Sequence, residues 1–187
     1  MPEYRRVFMP GGTFFFTIVT QNRQSLFADN SNVARLRLAV REEREHHPFT
    51  LDAAVILPDH IHFVWTMPET DSDYSSRIGR IKVAFTKSLG TSSRDESAEL
   101  QRGYSGIWQP RFWEHRIRDR DDFNNHLDYV HYNPVKHGYA RCPHEWVHSS
   151  FRKWVREDGY AQTWCCCCDG RVVEPPDLKE IADRVGE

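Results

Sequence analysis

The chain has 187 residues, of which 39% are hydrophobic, 13% aromatic and 28% charged, enough for one compact domain with an extension and typical of an ordinary soluble protein. Its apolar runs are too short for a membrane span and Met1-Pro-Glu-Tyr-Arg-Arg6 has no secretory core, so a cytoplasmic protein without membrane contact is expected. The net charge of -2 is uneven: residues 157–187 hold three Lys or Arg against eight Asp or Glu, leaving 22 against 19 in residues 1–156, so any nucleic-acid footprint must be local.

In chain order, Gly11-Gly12 marks a turn ahead of Thr13 to Thr20, a run that is β-branched or aromatic on both faces and reads as a doubly buried central strand. Asn30-Ser31-Asn32 offers helix caps, and Val33, Leu36 and Val40 recur at helical spacing up to about His46. Pro48 separates this helix from a second strand, Phe49 to Leu57, and Pro58-Asp59 makes a tight connection into a third, His60 to Met67. In the third strand Ile61, Phe63, Trp65 and Met67 form an apolar face for the core. The opposite face, with His60 and His62, is expected to look into a cleft.

Asp71 to Ser76 caps a helix that buries Ile78, Ile81, Phe85 and Leu89, with Arg77, Arg80 and Lys87 on a neighbouring side. Residues 90–110 read as a loop ending in Trp108-Gln-Pro110, and Arg111 to Arg118 as a fourth strand. Asp119 to Asp122 suits the start of a helix whose stripe is Phe123, Leu127 and Val130, and Pro134 is expected to end or kink it. After Trp154 the periodicity fades into an acidic extension, residues 157–187, which reads as a solvated tail with one short helical patch. Strand, helix, strand, strand, helix, strand predicts an α+β, ferredoxin-like split β-α-β sandwich. Its sheet is antiparallel with helices on one face, and one helix is added over residues 1–156.

Five cysteines are placed oddly, with Cys165 to Cys168 consecutive and Cys142 alone. Four adjacent thiolates converge poorly on one metal, and a disulfide framework does not fit a cytoplasmic chain, so they read as exposed thiols.

His60 and His62 point to one side of a strand, so both imidazoles can hold one divalent cation with positions left for water and a phosphate oxygen. With no thiolate nearby in sequence, Mg²⁺ or Mn²⁺ is the expected ion. On the later helix Tyr129 lies at the flank of the buried stripe, where its hydroxyl can reach a cleft. Asn133, one turn on, can add a third ligand, and Lys136 can pair with a phosphate or ease loss of the phenolic proton. Tyr132 is the rival nucleophile and should be more exposed. Arg77, Arg80 and Lys87, with Arg111, Arg116 and Arg118 on the last strand, can track a DNA backbone. Trp108 and Trp113, with Phe112, can stack on unpaired bases, and Tyr4, Arg5 and Arg6 form a basic, aromatic arm.

Pro58-Asp-His-Ile-His62, Trp108-Gln-Pro-Arg-Phe-Trp-Glu-His115 and Asn133-Pro-Val-Lys-His-Gly138 together resemble the REP-associated tyrosine transposases, relatives of the single-tyrosine HUH transposases. Tyr4-Arg-Arg6, Gly11-Gly-Thr-Phe-Phe-Phe-Thr17 and Trp146-Val-His-Ser-Ser-Phe151 fit as well, and the likeness runs from about residue 3 to residue 155. The resemblance implies the ferredoxin-like HUH fold, a divalent cation on His60 and His62, and Tyr129 as the nucleophile. It implies cleavage and rejoining of single-stranded DNA at palindromic hairpins through a 5′-phosphotyrosine. In related transposases the position of Asn133 is often glutamine, which leaves ligation by the shorter amide open. A monomer is expected, with a dimer as the alternative.

Three other functions fit parts of this pattern. A hairpin-binding protein that no longer cuts DNA needs no nucleophile, and a metal-dependent hydrolase would use activated water in place of Tyr129. A histidine-triad nucleotide hydrolase wants a third histidine where Val64 stands.

Overall fold

Strand β1 (Thr13–Val19) lies at the middle of the sheet because neither of its faces can be left in water: Phe14, Phe15 and Phe16 alternate sides and all three are fully buried. The structure, a computed structural model, describes residues 7–90, 106–168, 170 and 174–185. With β2 (Thr50–Ile56), β3 (His60–Thr66) and β4 (Trp113–Arg116), β1 forms a four-stranded sheet of order β2-β3-β1-β4, antiparallel throughout. Helices α1 (Asn30–His46) and α2 (Tyr74–Ser88) complete the split β-α-β order expected from the sequence.

One face of the sheet sends Phe14, Phe16, Ile18, Ile61, Phe63 and Trp65 into a core with Val33, Leu36 and Val40 of α1 and Ile78, Ile81 and Phe85 of α2. On the other face the two histidines were expected to look into a cleft. The added helix, α3 (Arg120–Lys136), lies across this face and closes the cleft, so that Phe15, Val55 and Val64 pack with Leu127, Tyr129 and Val130 in a second core. The reason is the doubly apolar β1, whose Phe15 needs a cover as much as Phe14 and Phe16 do.

The helix starts are set by aspartates. Asp29 accepts the Ser31 amide at 2.8 Å, so α1 begins at Asn30 rather than after Asn32. Asp73 and Asp119 accept the amides of Ser76 and Asp122 at 3.0 and 2.9 Å, capping α2 and α3. Pro134 neither ends α3 nor exposes it. The helix runs on to Lys136 and closes at Gly138, whose φ of +72° lets the chain turn off while Val135 accepts its amide at 2.9 Å. A proline in the last turn forgoes a single backbone bond there, and its buried ring contributes packing.

The extension is less solvated than its composition suggests. The Tyr160 hydroxyl donates to Asp128, Cys166 is buried, and Leu178 and Ile181, the latter on α5 (Lys179–Val185), join the second core. Between α3 and the extension, α4 (Phe151–Arg156) buries Phe151. Among the described residues no helix is long and apolar enough to cross a membrane.

Candidate active site

Antiparallel pairing sets Thr17 opposite His62 and Val19 opposite His60, fixing both imidazoles on the α3 side of the sheet. Their ring centroids are 5.0 Å apart at 78°. Each ring has Nδ1 engaged: His62 is hydrogen-bonded to Thr17 Oγ1 at 3.0 Å and His60 to Asp59 Oδ1 at 2.6 Å. Burial of Asp59 works against its charge, but the hydrogen bond and charge of His60 and the Arg23 guanidinium at 3.1 Å prevail and hold its carboxyl at about 2. The anionic acceptor at His60 Nδ1 favours the tautomer with its lone pair on Nε2, and with Nδ1 of His62 engaged by Thr17, Nε2 is the atom on each ring that could take a ligand.

Tyr129 of α3 stands edge-on to His62, centroids 5.3 Å apart at 72°. Lys136, two turns later, places Nζ 4.9 Å from the Tyr129 ring centre and donates to its hydroxyl at 3.1 Å. Asn133 lies one turn beyond Tyr129, and both are 0% exposed. The nucleophile candidate is therefore enclosed, not at the rim of a cleft, because α3 presses this flank onto the sheet. Tyr132 turns to the extension, where its ring meets Trp164 at 6.4 Å and burial raises its pKa.

Three nearby features escaped the sequence reading. His137, just past the end of α3, brings its ring to 5.3 Å from His60; only its place one turn after Asn133 hinted at this. Phe15 touches His62, Tyr129, His126 and Trp113 at ring distances of 5.3, 5.8, 5.0 and 5.7 Å. Beyond it Asp122 is held by His115 Nε2 at 2.8 Å, His126 Nδ1 at 3.1 Å and Arg118 Nε at 3.0 Å, with the two imidazoles stacked at 4.6 Å. Burial would raise the Asp122 pKa, yet these partners hold it at about 2, while burial pushes His126 down to about 4. The ligand atoms of His115, Asp122 and His126 lie within 4.8 Å of one another, but Arg118 already neutralises the carboxylate, and the group latches β4 to the first turns of α3.

The candidate DNA contacts divide by burial. Arg77 is buried and donates to the carbonyls of His47, Pro48 and Asp73 and to Asp71, clasping the start of α2 rather than facing a phosphate. Arg80 is paired with Glu43 in a two-pronged bond. Trp108 is core, packed on Phe27 and Phe85 with Nε1 donating to the Lys82 carbonyl, because Lys82 and Gln109 draw the end of the loop inward. Lys87, Arg111, Arg116 and Arg118 remain exposed, and Arg111 lines an open depression of about 450 Å³ with Gln21, Asn22, Arg23, Gln109 and Pro110. Trp113 is half-buried and stacks on His115 at 6.0 Å, and Lys136 is turned inward to Tyr129. Tyr4, Arg5 and Arg6 lie outside the described residues.

Residues 12–133 match the family model described as IS200-like transposase. A Haemophilus influenzae relative carrying the REP-associated tyrosine transposase name is 46% identical over 166 residues, which span 88% of this chain and 93% of that protein. The REP-associated tyrosine transposase of Escherichia coli is 40% identical over 164 residues, 88% of this chain and 91% of the other. A solved structure of a REP-associated tyrosine transposase bound to a REP hairpin superposes with a TM-score of 0.77 at 40% identity, covering 88% of this chain and 91% of that one. With this sheet order, this histidine pair and this tyrosine, the chain belongs to the IS200-like transposase family and, within it, to the REP-associated tyrosine transposases of the single-tyrosine HUH group.

Proposed function

We propose that this protein nicks and rejoins single-stranded DNA at palindromic hairpins, using Tyr129 as nucleophile and a divalent cation, Mg²⁺ or Mn²⁺, on His60, His62 and Asn133. The observation that carries the reading is the packing of Tyr129 against His62 with Lys136 at its hydroxyl. The donor set fits a divalent ion: two imidazole nitrogens whose Nδ1 atoms are already held, an amide one turn from the nucleophile, and His137 at the edge. Bound there, the cation would polarise a phosphate oxygen.

The rest falls to the chain. Asp59 and Thr17 hold the two rings in place. Lys136, cationic beside the phenol, stabilises the phenolate and so eases loss of a proton that a free tyrosine gives up only near pH 10. The Tyr129 oxygen bonds to phosphorus, the phenolic proton passes to solvent, and the 3′-oxygen leaves and takes up a proton. A 5′-phosphotyrosine and a free 3′-hydroxyl result, and attack by a 3′-hydroxyl reverses the link without an external energy source. Because Tyr129 is enclosed, the packing around it must open for a phosphate to reach its hydroxyl, with Lys136 kept beside the oxygen. Arg111, Arg116, Arg118, Lys87 and Trp113 are the candidates for strand contacts, and the hairpin in the solved relative supports that substrate. One chain supplies every group named here, so a monomer is the expected working unit.

The test is incubation of the protein with a labelled single-stranded hairpin oligonucleotide and Mn²⁺ or Mg²⁺, followed by a denaturing gel. A covalent adduct is expected, absent without cation and absent in Tyr129→Phe. Hairpin binding with no adduct from the unaltered protein would establish the non-cleaving alternative, and cleavage that survives Tyr129→Phe would point to activated water.

A further inference from the structure

Cys142, in the segment that follows α3, and Cys166, in the extension, meet in this structure as a disulfide pair, 24 residues apart in sequence with Cα atoms 4.4 Å apart. Cys166 is buried and paired, whereas Cys165, Cys167 and Cys168 are free thiols, the last two exposed as the sequence suggests. Three further residues stand at the pair. A ring nitrogen of His144 lies within 4.8 Å of both sulfurs, and the Cys168 sulfur and a Glu145 carboxylate oxygen lie within 4.8 Å of the Cys142 sulfur. Nδ1 of His144 is buried and makes no hydrogen bond among the described residues. A disulfide has no use for that nitrogen, nor for a third sulfur.

We propose that the dithiol form of this pair is a zinc site, with Cys142, His144, Cys166 and Cys168 as ligands. The donors come as two pairs, Cys142-Pro-His144 and Cys166-Cys-Cys168, and it is the coming together of two distant segments that four adjacent cysteines could not supply alone. The turn Pro143–Glu145 folds Cys142 and His144 back toward each other. The neighbours in the cysteine run are otherwise engaged. Cys167 donates to the Arg141 carbonyl, and the Cys165 sulfur belongs to neither set of converging ligand atoms.

Three thiolates and one neutral imidazole form a familiar structural zinc set, soft enough to favour Zn²⁺ over Mg²⁺ or Mn²⁺. Loading the ion releases three protons, one from each thiol, and leaves a net charge of -1 beside Arg141. Glu145 accepts from the Arg141 side chain at 3.2 Å and from the Cys168 thiol at 3.3 Å, and in the proposed site it keeps these two partners and guides Cys168 toward the ion. The ion would fasten the extension to the chain just after Lys136, so it would stiffen the end of α3 without taking part in the reaction.

The full-length protein is purified under reducing conditions without chelator, and its metal is measured by elemental analysis and by absorption after Co²⁺ substitution. One zinc per chain is expected, with thiolate-to-cobalt charge transfer and tetrahedral ligand-field bands in the substituted protein. Cys142→Ser, His144→Ala and Cys168→Ser should each weaken binding at least about tenfold, Cys165→Ser should leave it unchanged, and His60→Ala should retain the ion, which separates this site from the candidate active site. His144→Ala alters a partly exposed residue and keeps the test valid if a cysteine variant misfolds. Reduced protein free of zinc, cobalt spectra without charge transfer, or rapidly alkylated protein in which Cys142 and Cys166 are linked and metal-free would each overturn the proposal.

Discussion

The two faces of the sheet are made from the same strands and obey different rules. Toward α1 and α2, β1 and β3 present Phe14, Phe16, Ile18, Ile61, Phe63 and Trp65, whose burial asks only for complementary shape. Toward α3 the alternate positions are Thr17, His60 and His62 beside Phe15 and Val64, and α3 adds His126, His131 and Asn133, none more than 3% exposed. Hiding polar groups there is costly unless each is held, and the holds are specific: Thr17 on His62, Asp59 on His60, Asp122 on His126, Ser150 on His131. The first face supplies stability. The second spends part of it to keep buried polar groups in fixed positions.

The sharpest way to break this comparison is a pair of substitutions on the two faces. Tyr129→Phe should abolish the covalent adduct while leaving the urea midpoint nearly unchanged. Phe16→Ala should cost about 3–5 kcal/mol of stability in the same measurement. If Tyr129→Phe proved as destabilising as Phe16→Ala, the division of labour would fail.

Acid should attack the α3 face through its buried histidines. Burial holds His126 at about 4 and His131 at about 3, both below the ordinary 6.5. The unfolded chain therefore takes up protons first: stability is complete above pH 6.5 and falls as pH drops toward 4, by an amount on the order of 2–3 kcal/mol for each histidine. Urea titrations between pH 7 and pH 4 should show this loss, and His131→Gln, which can keep a bond to Ser150, should flatten part of the slope. Smaller again is the effect of freeing a ring: Thr17→Val should weaken cation binding by about 10- to 100-fold in a calorimetric titration with Mn²⁺. The mildest change is Asp73→Ala, which removes the cap of α2 on the first face. It should cost about 1 kcal/mol and leave adduct formation intact.

Much of the fold was legible because alternation along β1 and β3 reports which side chains need burial, and the order of elements then leaves few topologies. The ends of α1 and α3 were misjudged for local reasons: Asp29 caps ahead of the asparagines, and Pro134 sits where a lost amide matters least. The misplaced polar residues have a common cause. Histidine, arginine and tryptophan patterns do not reveal whether another element will cover them, so His60, His62 and Tyr129 read as open, Arg77 as a phosphate contact and Trp108 as a base stacker. Cys142 and His144 gave no signal of their own because their partners lie more than twenty residues away on a segment without periodicity.

Phe15 carries no chemistry, yet four rings of the α3 face rest against it. It serves as a common abutment for Tyr129, for one of the paired histidines and for the latch at Asp122. A slightly smaller or differently branched residue would let all three settle independently, so the alignment of the groups proposed to react depends on an inert hydrocarbon.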